Sequence, residues 1–282
     1  MTQPVVLYRG HGLPYSKGLM AQALSASGLP PNRAFELARE VERRLVDAGV
    51  ESIDLAELRT RTEEVLRDLE GEESVRRYRN WQRLDRLDRP LIVLLGGAPG
   101  VGKSTLATRL AHRLGITSVI ATDVIRQVLR AFFTSDQMAS VHHSAFELDL
   151  HGFGDQAGHV GRGVAAMVER ACAEGTPLVL EGVHAVPGAL SPQLQARCVA
   201  VQALIVVSDE ELHRGHFSLR GAARPAERYH ARFGEIRGLQ EHLVDGARDE
   251  GVTVIDNENV DETLGRLMGL VLDSVANVEA RK

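Results

Sequence analysis

The sequence predicts a doubly wound α/β domain that follows a small, mainly helical domain. From residue 91 onward, short apolar runs alternate with helical patterns. These runs are apolar on both faces, as are strands of a parallel sheet covered by helices on each side. The residues before Pro90 instead show helical periodicity after one strand-like start. We therefore place one domain at residues 1–89 and a second at residues 90–282.

The first domain begins with the apolar stretch PVVLY, interpreted as a strand, and a turn at RGHG. Three helices are predicted to follow, with Ser16, Asn32 and Asp54 as their N-caps. Asp54 and Glu57 have the spacing of a capping box. The polar segment GEESVRRYRNWQRLDRLDRP is interpreted as a linker or a bridging helix.

The second domain contains five runs that we interpret as strands. They cover residues 91–95, 119–121, 178–180, 199–207 and 252–255. In such a sheet, ligands bind beyond the carboxyl ends of the strands. Polar residues that directly follow a run are therefore candidates for the functional site.

The segment GGAPGVGKST follows the first of these runs, precedes a helical pattern and fits the motif G-x-x-x-x-G-K-[ST]. Its glycines let backbone N–H groups cradle phosphate at a helix N-terminus. Lys103 would reach the β- and γ-phosphates, and the Ser104 hydroxyl would be a ligand of Mg²⁺. The candidate nucleotide-binding residues are Gly97, Ala98, Pro99, Gly100, Val101, Gly102, Lys103, Ser104 and Thr105. The motif and its context predict a P-loop NTPase fold and the use of Mg-ATP, and they disfavour a turn that binds nothing.

Two absences narrow the class of P-loop protein. The chain has no N-K-x-D motif for guanine, and the run LVLEG ends in a single acid, Glu181, where motor ATPases carry an Asp-Glu pair. Glu181 is a candidate to hold Mg²⁺ through water and to face the substrate, the alternative being a solvated acid at a strand end. His184 follows closely and is a candidate substrate contact, although a structural role is equally open.

The stretch TSVIATDVIRQVLR places Asp123 and Arg126 at the carboxyl end of the second run. Asp123 could accept the proton of a substrate hydroxyl that attacks the γ-phosphate, and Arg126, one helical turn on, could hold an anionic substrate. The alternative is a helix cap for Asp123 and a surface position for Arg126. Thr122 offers a competing cap, which would leave Asp123 free for chemistry.

An arginine-rich segment, HRGHFSLRGAARPAERYHARFGEIRGLQ, completes the set. Gly221 and Pro225 prevent one continuous helix, so we expect a helix, a hinged loop and a second helix that together form a lid. Arg220 and Arg224, in the hinged part, are candidate catalytic residues beside Lys103 and Asp123, and Arg228 is a candidate substrate-binding residue. A solvated basic face is the alternative.

Composition excludes several classes of protein. The net charge of −5 and an aromatic content of 4% argue against a nucleic-acid groove. No apolar run approaches the roughly 18 residues that a membrane span needs, and the N-terminus lacks the features of a signal peptide. Cys172 and Cys198 are too few for a disulfide framework, and the histidines lack a metal-binding spacing. We expect a cytoplasmic protein and no membrane partner.

With these motifs in hand, the chain resembles the bacterial and archaeal 2-phosphoglycerate kinases and the related plant P-loop proteins of phytic acid metabolism. The resemblance runs through nearly the whole chain. It is carried in order by LPYSKGLMAQALSASGL, the P-loop, VIATDVIRQVLR, LVLEGVH, RYHARFGEIRGLQEHL and VTVIDN. It implies transfer of the γ-phosphoryl group of ATP to the 3-hydroxyl of 2-phosphoglycerate. It further implies that Asp123 faces that hydroxyl and that Arg126 holds the small anionic substrate.

The stretch VVLYRGHGLPYSKGLMAQAL resembles the ATP-cone, a nucleotide-sensing module. Tyr8 and Arg9 stand where that module usually carries a basic pair, so packing and homodimerisation remain alternatives to sensing for residues 1–89. Three rival functions also remain open. They are a kinase for another phosphorylated polyol such as an inositol phosphate, a polynucleotide or nucleotide-sugar kinase, and a regulator that senses nucleotide without catalysis.

Overall fold

The computed structural model of the chain describes residues 4–8, 11–84, 87–218 and 226–279. The chain forms two compact units. One consists of the residues up to Leu87 together with those from Met268 onward, and the other spans Asp88–Leu267. The sequence predicts that the residues from Met268 onward are part of the second domain. Residues 260–279 form one uninterrupted helix, so no break in the sequence marks the change of unit.

The first unit combines a three-stranded sheet with helices. Its strands are β1 (Val5–Tyr8), β2 (His11–Pro14) and β3 (Ser52–Asp54). Its helices are α1 (Lys17–Ala26), α2 (Pro31–Asp47), α3 (Leu55–Glu70) and α4 (Glu72–Arg83). The sheet order is β2-β1-β3, with β1 antiparallel to β2 and parallel to β3.

The helix caps of this unit follow the sequence in two cases of three. The Ser16 side chain accepts a hydrogen bond from Leu19 N, and Asp54 accepts one from Glu57 N. The second helix begins two residues earlier than expected, after Pro30, so Asn32 is not its cap. A proline in the first turn favours that start because its fixed φ suits a helix and its missing N–H is not needed there.

The segment interpreted as a linker or bridging helix is largely α4, which is part of the core of the first unit. Val75 and Tyr78 of α4 are 1% and 3% exposed and pack with Leu37, Val41 and Leu66. Because most residues of this segment are charged or polar, the narrow apolar stripe of α4 was not recognised in the sequence. The resemblance to an ATP-cone stays a prediction.

The second unit is a doubly wound parallel sheet, as predicted. Its strands are β4 (Leu91–Gly96), β5 (Val119–Ala121), β6 (Leu178–Glu181), β7 (Val199–Val206) and β8 (Thr253–Asp256). Its helices are α5 (Lys103–Leu114), α6 (Thr122–Phe132), α7 (Leu150–Glu174), α8 (Pro192–Gln195), α9 (Glu210–Ser218), α10 (Ala226–Ala231) and α11 (Phe233–Asp249). Helix α12 (Val260–Glu279) begins in this unit.

The order of the strands fixes the place of the functional site. The sheet runs β5-β6-β4-β7-β8, and every pairing in it is parallel. The chain leaves the central strand β4 and builds first one side and then the other, so the topology switches direction at β4. Ligands bind at such a switch point, beyond the carboxyl ends of the strands.

The core of the second unit explains why β4 is central. All six of its residues are buried. Ile92 and Leu94 face Val160, Val164 and Val168 of α7 in one apolar cluster. No helix among the described residues is both long and apolar enough to cross a membrane.

Candidate active site

The P-loop connects β4 to α5. Gly97 and Gly102 have φ values of 141° and 87°, which favour glycine, and Gly102 directly precedes the first residue of α5. Lys103 is 8% exposed, and its Nζ donates a hydrogen bond of 2.7 Å to Ala98 O across the loop. The lysine ammonium is therefore held inside the curve of the loop, at the N-terminus of α5, where an anion would bind.

Ser104 and Glu181 meet beside the lysine. The Ser104 hydroxyl donates a hydrogen bond of 2.8 Å to Glu181 Oε1. Strand register causes this contact, because Glu181 at the end of β6 pairs with Leu95 near the end of β4. Glu181 is only 8% exposed, so it is not the solvated strand-end acid of the alternative interpretation.

Asp123 and Arg126 lie in the first turns of α6, which begins at Thr122. Arg126 Nε is 3.3 Å from Asp123 Oδ1, and the exposed fractions of the two side chains are 15% and 62%. Arg126 Nη1 also donates to Val141 O at 3.2 Å and to His143 O at 2.9 Å. The arginine is thus fixed, and the carboxylate beside it is open to a ligand.

Neither Thr122 nor Asp123 caps α6, although the sequence offered each of them as a candidate cap. The residue before the helix is Ala121, and its cap position has no side-chain hydrogen bond. Thr122 is fully buried, and its Oγ1 lies 3.1 Å from His184 Nδ1. The Thr122 hydroxyl therefore bonds to His184 and not to the backbone N–H groups at the start of α6.

The structure does not bring His184 into the wall of the cavity described below, and its candidate role as a substrate contact stays a prediction. The imidazole is fully buried and does not line the cavity described below. Its Nε2 lies 2.8 Å from Gln156 Oε1. The Gln156 amide nitrogen donates to Ser140 O and His143 O, so its oxygen must accept from His184 Nε2–H. Nδ1 is then the acceptor for the Thr122 hydroxyl, and burial lowers the pKa of His184 to about 4.

Arg228 reaches the site from α10. Its Nη2 donates to Glu147 Oε1 at 2.6 Å and to Ser144 Oγ at 2.8 Å. The Ser144 backbone N–H donates to the Glu147 carboxylate at 2.9 Å, and this bond, reinforced by the guanidinium, holds the pKa of Glu147 below its usual range. Arg228 and Arg126 thus both bind the chain between α6 and α7, a segment that the sequence analysis did not single out.

The remaining lid arginines divide into two groups. Arg220 and Arg224 lie outside the described residues. Arg237 donates to Val207 O at 2.6 Å, and Arg214 lies over the ring of Phe233 at 3.8 Å. Arg232 pairs with a glutamate one turn along its own helix. In the described part of the segment, Arg228 is therefore the arginine that the structure brings to the cavity.

These side chains surround one cavity of about 420 Å³ at the carboxyl ends of the strands. Its walls include the predicted residues Lys103, Ser104, Asp123, Arg126, Glu181 and Arg228. Residues of the same cavity that sequence reasoning missed include Ser144, Phe146 and Tyr229. The rings of Phe146 and Tyr229 lie 5.4 Å apart, and Tyr229 stacks on Phe217 of α9 at 4.8 Å. Aromatic contacts therefore hold α10 over the cavity.

Comparison with known proteins gives the family. The 2-phosphoglycerate kinase of Methanopyrus kandleri is 35% identical over 283 residues, covering 93% of this chain and 85% of that one. The 2-phosphoglycerate kinase of Methanothermobacter thermautotrophicus is 36% identical over 286 residues, covering 95% and 93%. The chain belongs to the 2-phosphoglycerate kinase family. It is an ATP-dependent phosphotransferase.

Two further comparisons found similar proteins. Residues 92–222 of this kinase match a family described as an AAA domain. Solved structures that it resembles include a gluconokinase from Sinorhizobium meliloti, with a TM-score of 0.41, 14% identity and coverage of 68% of this chain and 98% of that one. A shikimate kinase from Acinetobacter baumannii has a TM-score of 0.42, 14% identity and coverage of 69% and 97%. Similarity this low says nothing about the acceptor.

The P-loop of this kinase is supported by residues that carry no sequence motif. His213 and His216 of α9 bind Pro99 O and Gly100 O, and Asn257, just after β8, binds Val101 O. The only sequence signal for them is position: each lies at or beyond the carboxyl end of a predicted strand. Histidine and asparagine are common there for many reasons, so position alone could not select them.

The donors near the P-loop suit Mg²⁺. Ser104 Oγ and the Glu181 carboxylate are oxygen donors 2.8 Å apart, and a hard cation prefers oxygen donors. The described residues contain no group of three His, Cys, Asp or Glu side chains that could hold a metal alone. Two oxygen donors beside the P-loop suit Mg²⁺, which proteins commonly hold through one or two side chains plus the phosphates of a nucleotide.

Proposed function

We propose that this kinase transfers the γ-phosphoryl group of ATP to the 3-hydroxyl of 2-phosphoglycerate, giving 2,3-bisphosphoglycerate. The observation that carries the proposal is the single cavity on which Lys103 and Ser104 of the P-loop and Asp123 and Arg126 of α6 all open. One cavity with a donor side and an acceptor side suits direct in-line transfer. Relatives named 2-phosphoglycerate kinase, similar along nearly their whole length, support the choice of acceptor.

On the donor side, the backbone N–H groups of residues 97–105 bind the phosphates of ATP. The Lys103 ammonium moves from Ala98 O to the β- and γ-phosphates and neutralises charge there. Ser104 would hold Mg²⁺, and Glu181 would hold it through water. When bound, the metal would supply positive charge at the phosphate oxygens.

On the acceptor side, Asp123 takes the proton of the 3-hydroxyl as that oxygen attacks the γ-phosphorus. The exposed carboxylate supports this role, because a base must reach its proton within hydrogen-bond distance. Arg126 and Arg228 bind the phosphate and carboxylate of the acceptor, for which guanidinium groups are well suited. Arg220 and Arg224 are proposed to close over the transferring phosphoryl group.

The test is ADP release with product mass recorded, using Mg-ATP alone and with 2-phosphoglycerate, 3-phosphoglycerate, glycerate or inositol phosphates. The proposal expects a bisphosphoglycerate from 2-phosphoglycerate. It also expects turnover to fall by about 10² to 10⁴ in Asp123→Asn with ATP binding retained. The matched control is Asp136→Asn, which changes an exposed aspartate shortly after the end of α6. Faster turnover of an inositol phosphate would overturn the acceptor, and ATP binding without turnover of any acceptor would favour the regulator.

A further inference from the structure

Helix α9 holds two successive carbonyl groups of the P-loop. His213 Nε2 lies 2.8 Å from Pro99 O, and His216 Nδ1 lies 2.9 Å from Gly100 O. A carbonyl oxygen only accepts, so each imidazole must donate its N–H. The two histidines are one helical turn apart, which lets one face of α9 reach neighbouring peptides of the loop.

Asn257, just after β8, holds the next carbonyl of the loop. Its Nδ2 donates to Val101 O at 2.9 Å, and this acceptor fixes which end of the amide is the nitrogen. A Cβ on Gly102 would come within 2.5 Å of that nitrogen. The amide therefore packs directly against the loop. Asn257 is 2% exposed and does not line the cavity.

These three bonds determine where the N–H groups of the loop point. In a trans peptide the C=O and the following N–H point in opposite directions, and the described residues contain no cis peptide. Fixing the carbonyls of residues 99, 100 and 101 therefore directs the N–H groups of Gly100, Val101 and Gly102 to the opposite side. Successive N–H groups directed to one side form an anion-binding cradle.

The preceding peptide shows the opposite arrangement. The Ala98 carbonyl binds Lys103 Nζ, which lines the cavity, and not a supporting side chain behind the loop. The residue that follows Ala98 is Pro99, which has no N–H to direct. Side chains of α9 and of Asn257 therefore hold the carbonyls of three peptides, each of which has an N–H that can bind phosphate. The Ala98–Pro99 peptide has no N–H, and among the described residues none of these supporting side chains holds its carbonyl, which binds Lys103 Nζ.

We infer that His213, His216 and Asn257 are positioning residues that hold the P-loop amides ready for the triphosphate of ATP. Gly100 and Gly102, with φ values of 92° and 87°, would otherwise give the loop many conformations to lose on binding. Ordering the loop before ATP arrives reduces that entropic cost and raises affinity. The inference depends on the P-loop binding nucleotide and not on the identity of the acceptor.

The test separates the hydrogen bond from the shape of the ring. His213→Phe and His216→Phe keep a planar ring but remove the donor. In His213→Gln and His216→Asn an amide nitrogen takes the place of Nε2 and Nδ1, respectively. Dissociation constants of ATP and of tripolyphosphate without Mg²⁺ are measured by calorimetry on the full chain. Tripolyphosphate lacks the nucleoside, so it reports on the cradle alone. His151→Phe is the matched control, because that side chain is 90% exposed on α7.

Each phenylalanine variant is expected to bind both ligands about fivefold to tenfold more weakly, the effect of one lost hydrogen bond. The glutamine and asparagine variants should recover to within about threefold, and the control should match the parent. Unchanged affinity in the phenylalanine variants overturns the inference, as does equal weakening in the amide variants. If His213→Phe does not fold, the half-buried His216 gives the same test. Either of the two overturning results would leave the choice of acceptor untouched, because the acceptor assay does not use these variants.

Discussion

Arg228 Nη2 lies 2.6 Å from Glu147 Oε1, so a carboxylate of this chain binds the guanidinium that faces the acceptor side of the cavity. The same carboxylate accepts from Ser144 N, which fixes it in place. An anionic acceptor that uses Arg228 must therefore compete with Glu147.

The first prediction concerns this competition. Glu147→Gln removes the negative charge but keeps an oxygen that can accept from Ser144 N. We expect the KM of the acceptor to fall by about twofold to fivefold with little change in kcat, a small effect because exposed ion pairs are weak. Steady-state kinetics measure it. Glu235→Gln breaks the comparable exposed pair with Arg232 on α11 and should change neither constant. A higher acceptor KM in Glu147→Gln would contradict the prediction.

A second prediction concerns Gln156. Its amide joins His184 to the carbonyls of Ser140 and His143, and the second of these also binds Arg126. Gln156→Met keeps the volume but leaves buried polar groups unpaired, at a cost of about 1–3 kcal/mol of stability. The KM of the acceptor should rise while that of ATP should not.

Urea unfolding and a comparison of the two KM values test that prediction. The matched control is Gln195→Met in α8, which loses a 2.9 Å hydrogen bond to Leu190 O. It should reduce stability less and leave both KM values unchanged. A stability loss in Gln156→Met with no change in the acceptor KM would limit that residue to a structural role.

The third prediction concerns Ser104 and its hydroxyl. Ser104→Ala removes the proposed metal ligand but not the P-loop amides, so the Mg²⁺ concentration for half-maximal activity should rise by about tenfold or more. Affinity for ATP without Mg²⁺ should stay within about twofold, because the amides that bind phosphate remain. Thr108→Ala removes another hydroxyl of α5, one that bonds only to Ser104 O, and should leave the Mg²⁺ requirement unchanged. An equal rise of the Mg²⁺ requirement in both variants would indicate a disturbance of α5 and not the loss of a metal ligand.

The fourth prediction is a pH dependence of stability. The pKa of His184 is about 4 in the folded chain, against about 6.5 for a free histidine. Between these values the unfolded chain binds a proton that the folded chain excludes. The free energy of unfolding should therefore fall as pH decreases from 6.5 to 4, and His184 alone should contribute up to about 1.4 kcal/mol per pH unit to that fall.

His184→Gln should reduce that slope, measured by urea unfolding at several pH values. The exposed His151→Gln is the control and should keep the slope of the parent. The slope is expected to become smaller and not to vanish, because burial also lowers the pKa of His213 to about 4. A slope that His184→Gln leaves unchanged would rule out this imidazole as its source.

The sequence predicted the second unit well because its signals are local. Each of the five strands lies within two residues of its expected bounds. Fully apolar runs between helical patterns form the buried strands of a parallel sheet, because helices cover both faces of such a sheet. The P-loop motif, together with the rule that ligands bind beyond the carboxyl ends of parallel strands, then predicted that Lys103, Asp123 and Glu181 lie at one site.

Features that depend on contacts distant in sequence could not be predicted. The role of Thr122 depends on His184, 62 residues away, and the support of Gly100 depends on His216, 116 residues away. A short polar side chain near a helix start is often a cap, so local reasoning offered Thr122 as a candidate for that role. The aromatic contacts of Tyr229 likewise appear only once α9 and α10 are folded.

The division of the chain into units affects the order in which they can fold during synthesis. Residues before Leu87 leave the ribosome first, yet the helix segment from Met268 onward that belongs to their unit is made after the whole of Asp88–Leu267. Met268, Val271 and Leu272 are fully buried, so the first unit lacks these apolar side chains until then. The kinase unit is contiguous and has no such delay. Translation should therefore yield a folded catalytic unit before the N-terminal unit is complete.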